Sequence, residues 1–165
     1  MNAKDEVVEW LRDAYAMERG LELTLKKQSD SSQQVPSVRG AATRHLDETR
    51  QHARTVELLL ASLGADTSTL KTGMGMVTET LKGLATKMSR DEMVKDLLTS
   101  YAMEHFEIAC YEALITAAES AGLAEVADAC EQMLGEEQRM AETILDALPL
   151  VVEEYVSSTP RAKAA

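Results

Sequence analysis

Between Ser100 and Tyr111 the chain reads Ser-Tyr-Ala-Met-Glu-His-Phe-Glu-Ile-Ala-Cys-Tyr, which sets the carboxylates of Glu104 and Glu107 three residues apart in an otherwise apolar stretch. A helix of that composition buries one face, and a carboxylate carried onto a buried face is costly unless a cation receives it. The letters Tyr-Ala-Met-Glu occur twice, at Tyr15–Glu18 and again at Tyr101–Glu104. Elsewhere His45, Glu48 and His52 follow one another at intervals of three and four, so they share one helical stripe. A shift of 88 residues carries Glu48 onto Glu136, and His45 and His52 onto Met133 and Met140. Because those methionines are apolar, the stripe is expected to face a core and to take Glu48 and Glu136 inward.

Glu18 and Glu48 from one half of the chain, and Glu104 and Glu136 from the other, are therefore expected to converge on one axis. Glu107 adds a fifth carboxylate and His52 an imidazole. Like charges so placed repel and lose hydration, and a pair of divalent cations cancels that cost. Oxygen-rich ligation with one histidine suits iron or manganese better than a structural zinc site, which favours cysteine and histidine. In so acidic a chain, a set of merely solvated glutamates is the alternative.

The elements that must position these groups read as helices. Three prolines, eight glycines and long runs rich in Ala, Leu, Glu, Met and Lys disfavour strands, and none is predicted. A first helix is expected over about 2–27, a polar loop to Pro36, and a second helix to Leu63 with Gly64 ending it. Residues to about Met88 form a crossover long enough for a short helix, with Met74, Met76 and Met88 expected to pack it against the bundle. Ser89 and Glu92 match a capping box opening a third helix that Gly122 closes, and a fourth runs from Leu123 to Leu148, where Pro149 stops or kinks it. Two hairpins joined by one long crossover describe an all-α, antiparallel four-helix bundle over 1–150, with a largely disordered C-terminal extension over 151–165. Helix one maps onto helix three with a shift of 86 and helix two onto helix four with a shift of 88, the difference falling in a loop. An approximate twofold axis between the hairpins follows.

At 165 residues and 45% hydrophobic content the chain is one domain with a sizeable core. A net charge of −11 repels phosphate backbones, so nucleic acid is not an expected partner. No apolar run is long enough to span a membrane and the N-terminus lacks an export signal, which makes the expected location cytoplasmic. Cys110 and Cys130 lack CxxC pairing and are expected to be buried, reduced thiols. Tyr15 and Tyr101, one turn before Glu18 and Glu104, are expected in the core with their hydroxyls on a carboxylate.

The order of these groups resembles the ferritin-like di-iron carboxylate superfamily. More closely, Glu104–Tyr111, His-Leu-Asp-Glu-Thr at 45–49 and the pair Glu136-Glu137 resemble the bacterial YciE/YciF-type stress proteins of unknown function, over about residues 5–148. The resemblance implies Glu18, Glu48, His52, Glu104, Glu107 and Glu136 as ligands of two divalent ions, iron or manganese. Two departures stand out: the superfamily's Glu-x-x-His is Glu48-x-x-x-His52 here, and Met140 holds the place of the second histidine. One metal position is therefore expected to be tight, beside His52, and the other labile. His45 is expected to support the ligands more than to join them, and Glu137 is open between ligand, neighbour of ligands and solvated residue. Two functions follow as expectations: a dinuclear redox protein acting on oxygen or peroxide in stress protection, or a stress-associated dimeric interaction protein with a structural or vestigial metal site. In both, metal ions and a second copy of the chain are the expected partners. Storage of a mineral core is not expected, for lack of a cage-forming extension.

Overall fold

The computed structural model describes residues 2–29, 36–67 and 91–158, and these form four helices: α1 (Ala3–Ser29), α2 (Pro36–Ser62), α3 (Glu92–Ser120) and α4 (Ala124–Ser158). No strand occurs among the described residues. The helices make a ferritin-like bundle in which α1 pairs with α2 and α3 with α4 as hairpins, while α1 also lies beside α3 and α2 beside α4. The expected crossover helix, its three methionines and Ser89 of the expected capping box fall outside the described residues. Asp91 stands at the N-cap of α3 with no side-chain capping bond.

Both glycines expected to end helices do so in the left-handed region, Gly64 at φ 78° and Gly122 at φ 70°. Each closes its helix with the same pair of backbone bonds. Ala65 N–H donates to Leu60 C=O and Gly64 N–H to Ala61 C=O; Leu123 and Gly122 repeat this on Ala118 and Glu119.

The fourth helix does not end at Pro149 but runs nine residues further, to Ser158. Proline removes one N–H from the helical ladder, a cost of about 3 kcal/mol. Burial of Val151 against Leu97, Met140 and Ile144 offsets it, because the helix must continue for Val151 to reach that cluster.

Each helix buries residues at alternating intervals of three and four. On α1 these are Val7, Leu11, Ala14, Glu18, Leu21 and Leu25, and on α4 they are Cys130, Met133, Glu137, Met140 and Ile144. The apolar members gather into two cores. The larger holds Leu11, Val56, Leu60, Tyr111, Leu114 and Cys130, and the smaller is the cluster around Val151. Polar side chains lie between them, since the middle turn of every helix contributes an ionisable residue to the buried register.

Candidate metal centre

Four glutamates and two histidines are buried in the middle layer: Glu18 from α1, His45 and His52 from α2, Glu104 and Glu107 from α3, and Glu137 from α4. They form two groups whose ligand atoms lie within 4.8 Å of one another. His45, Glu104, Glu107 and Glu137 make the first; Glu18, His52 and Glu137 make the second. Glu137, fully buried, belongs to both.

In the first group His45 Nε2 stands 3.3 Å from Glu104 Oε1 and 3.7 Å from Glu137 Oε2. In the second His52 Nδ1 is 2.8 Å from Glu137 Oε1 and 3.6 Å from Glu18 Oε1. The Tyr111 hydroxyl, also fully buried, donates to Glu18 Oε1, and its ring meets His52 edge-on at 6.2 Å. His52 Nε2 faces the other way, 2.7 Å from Glu136 Oε2, and that contact fixes which ring nitrogen looks into the buried group.

Burial alone would lower both imidazoles. For His45 the carboxylates of Glu104, Glu48 and Glu137 outweigh it and push the ring up to about 10. Glu137 and Glu18 do the same for His52, to about 11. At Glu107, burial first and then the charges of Glu137, Glu18 and Glu104 drive the carboxyl well above the usual range. Burial also raises Glu18 and Glu137 against the opposing pull of His52.

The donors fit a pair of hard divalent cations. Oxygens on all of Glu18, Glu104, Glu107 and Glu137, together with Nδ1 of both histidines, have no aligned hydrogen-bond partner although solvent cannot reach them. Such orphaned groups are rare in folded proteins unless an ion or water completes them. Four carboxylates match the charge of two divalent cations, and two neutral imidazoles add nitrogen donors at no cost in charge.

Of the residues expected from sequence, Glu18, His52, Glu104 and Glu107 lie in this layer. Glu48 and Glu136 do not point at the axis as expected. Their side chains are 39% and 18% exposed, at the outer edge of α2 and α4. Neighbours on a helix diverge by about 100°, and of the positions that the 88-residue shift pairs, Thr49 and Glu137 lie in the buried register while Glu48 and Glu136 lie beside it. His45, expected in a supporting role, is a full member of the first group. The expectation of one site without imidazole is thereby corrected, since each group has its own histidine. Met140 packs in the smaller apolar core and borders a cleft.

The alternation of three and four, traced through Ala42, His45, Thr49, His52 and Val56, was the signal that could have identified these residues. Tyr15 and Tyr101 are half-buried and pack beside the two cores, whereas the hydroxyl that reaches a site carboxylate is that of Tyr111, which sequence reasoning passed over. Cys130 is buried and its thiol pushed up to about 12 by burial; Cys110 is only half-buried; both are free.

A four-helix bundle whose apolar cores are split by a layer of buried carboxylates and imidazoles defines the ferritin-like class. Within it the chain belongs to the family whose model is described as a domain of unknown function, DUF892, which matches residues 2–157. Its fold is shared by a protein of Xanthomonas campestris pv. campestris, at 33% identity and a TM-score of 0.80 over 94% of this chain and 97% of that one. The stress protein YciF of E. coli is similar at 21% identity and a TM-score of 0.72, covering 96% and 99% of the two chains. YcfI of Rhodopseudomonas palustris is similar at 21% and 0.71, covering 87% and 93%.

Proposed function

We propose that this chain is a dinuclear iron or manganese carboxylate protein that reacts with oxygen or peroxide in stress protection. One observation carries the reading: solvent-inaccessible carboxylates on three helices, with oxygens that lack hydrogen-bond partners, gather with two histidines of the fourth into two groups that share Glu137. The similarity to a stress protein supports the setting. Bound there, an iron or manganese pair supplies redox chemistry with small oxidants.

The residues divide the remaining work. His45, Glu104 and Glu107 hold one position, Glu18 and His52 the other, and Glu137 stands between them. Tyr111 orients Glu18 by donating to it, and the apolar cores on either side keep bulk water away. Glu136 accepts from His52 Nε2 and so presents Nδ1 to the buried group. The reading carries with it a cytoplasmic setting and a homodimer as the working form, in which a second copy covers the exposed apolar residues Leu98 and Phe106 of α3. No described helix is long and apolar enough to cross a membrane.

The deciding measurement is elemental analysis of protein purified without chelators, followed by anomalous scattering at the iron and manganese edges. About two ions per chain, flanking Glu137, is the expected result. A metal-free layer bridged only by water would overturn the reading.

A further inference from the structure

Two concave features border the middle of the bundle, and they differ in what lies at their base. The cleft between α2 and α4 holds about 210 Å³, yet no member of either buried group lines it. A much smaller opening of about 20 Å³ lies between α1 and α3. Its rim includes Thr24 and Thr99, which are partly exposed, and its walls are Leu21, Leu25 and Met103, which are buried. At its floor are His45, Glu104 and Glu107, three of the four members of the first group. Oxygens of both floor carboxylates have no hydrogen-bond partner. Of the two features it is the small one that reaches the layer.

The size and chemistry of that opening limit what can pass. A single water needs about 10–15 Å³ of such space, so about 20 Å³ admits a molecule of two heavy atoms and leaves no room for a branched organic one. Two leucines and a methionine give an anion neither a hydrogen-bond donor nor a counter-charge, and the carboxylates beneath them are of the same sign. A neutral molecule meets neither obstacle.

We propose that this opening is the entry for oxidant and that it selects by size and charge: dioxygen and hydrogen peroxide, both neutral and of two heavy atoms, reach the buried groups past Leu21, Leu25 and Met103, while organic hydroperoxides and superoxide stay outside. The proposal rests on the dinuclear reading above and narrows its substrate class. Leu25 and Met103 are then specificity-determining residues, and Met103 keeps a record of what passes it. Its thioether sulfur takes one oxygen atom from a peroxide and becomes a sulfoxide, and the peroxide leaves as water, or as the alcohol when it is organic. Thr24 at the rim is the place to close the opening, because its hydroxyl makes only a long bond, 3.5 Å, to the Gly20 carbonyl of its own helix.

The first arm of the test uses metal-free protein treated with hydrogen peroxide or with tert-butyl hydroperoxide, and counts sulfoxide at each methionine by mass spectrometry. Met17 and Met133, equally buried but away from the opening, are the internal controls. With hydrogen peroxide Met103 should oxidise about tenfold faster than these two, the scale of discrimination by size in an apolar pocket, and with tert-butyl hydroperoxide no faster. Thr24→Trp should remove that advantage, and Leu25→Ala should extend it to the organic peroxide. The second arm loads the protein with ferrous ion, counts the bound iron, and follows oxidation by dioxygen and, without air, by each peroxide; one hydrogen peroxide takes two electrons and two protons and leaves as two waters. Thr24→Trp should slow dioxygen and hydrogen peroxide alike with the iron count unchanged, and slowing of one alone would identify that oxidant as the one that enters here. Met103 as protected as Met17 and Met133 from both peroxides would overturn the proposal, and so would rates indifferent to Thr24→Trp, which stands even if Leu25→Ala fails to fold. Wild type that binds no iron would overturn the dinuclear reading and this role with it, a result distinct from bound iron whose oxidation ignores the opening.

Discussion

Glu137 and Glu136 are adjacent in sequence and opposite in fate. Glu137 is fully buried between both ligand groups, whereas Glu136 holds the outer nitrogen of His52. Substitution should separate them. Glu137→Gln is expected to abolish retention of both ions at stoichiometric metal, because the residue belongs to both groups. Glu18→Gln should lose one. Isothermal titration with manganous ion distinguishes two, one and no sites. Tyr111→Phe leaves the site its ligands but deprives Glu18 of a buried donor. Hydrogen bonds to charged groups contribute about 1.5–3 kcal/mol, so this variant should lose about 2 kcal/mol of stability in urea, with the number of bound ions unchanged.

At the scale of the elements, helix ends and glycines give two predictions of opposite sign. Gly122 closes α3 at φ 70° with open space around the position of a Cβ, so any loss on substitution is purely conformational. The left-handed region costs an L-residue roughly 1–2 kcal/mol, and Gly122→Ala should be destabilised by about that amount. Gly135 lies inside α4, where an added Cβ would meet only the flexible end of Arg139 at 3.6 Å. Alanine exceeds glycine in a helix interior by about 1 kcal/mol, so Gly135→Ala should be more stable by close to that margin. Denaturant midpoints of the two variants and wild type test both.

For the whole molecule, the polar layer between two apolar cores is expected to tie stability to metal and to pH together. Without metal, His45 and His52 bind protons in the fold up to about pH 10 and about pH 11, against 6.5 ordinarily. A histidine with a raised folded value contributes its full stability below its unfolded value and loses that contribution as pH climbs toward the folded one. Glu107, raised by burial, works in the same direction from its ordinary 4.5 upward, because the fold prefers its neutral form. Metal-free protein should therefore lose stability steadily between about pH 5 and about pH 9. Bound cations need the deprotonated ligands, so the loaded protein should gain on the stripped one over the same interval. Thermal melts with chelator and with excess manganous ion should diverge as pH rises; parallel curves would show that the layer does not take up metal in exchange for protons.

How much of this was legible beforehand differs with scale, for a physical reason. The sequence by itself determined the order of the four described helices, their glycine caps and the presence of ionisable residues on apolar stripes, all of which follow from local chain geometry and from periodicity. The resemblance to the YciE/YciF-type proteins also rested on residues alone, and the family match bears it out. What only the tertiary structure decided is which member of a neighbouring pair turns inward. Thr49 and Glu137 took the axis in place of Glu48 and Glu136, and His45 joined the buried groups, because the crossing of four helices sets the rotation of each by a fraction of a turn. A helix repeats every 3.6 residues, so a stripe traced from sequence is wide enough to hold either neighbour. The continuation of α4 past Pro149 was decided in the same way, since the burial of Val151 that sustains it exists only once α3 lies alongside.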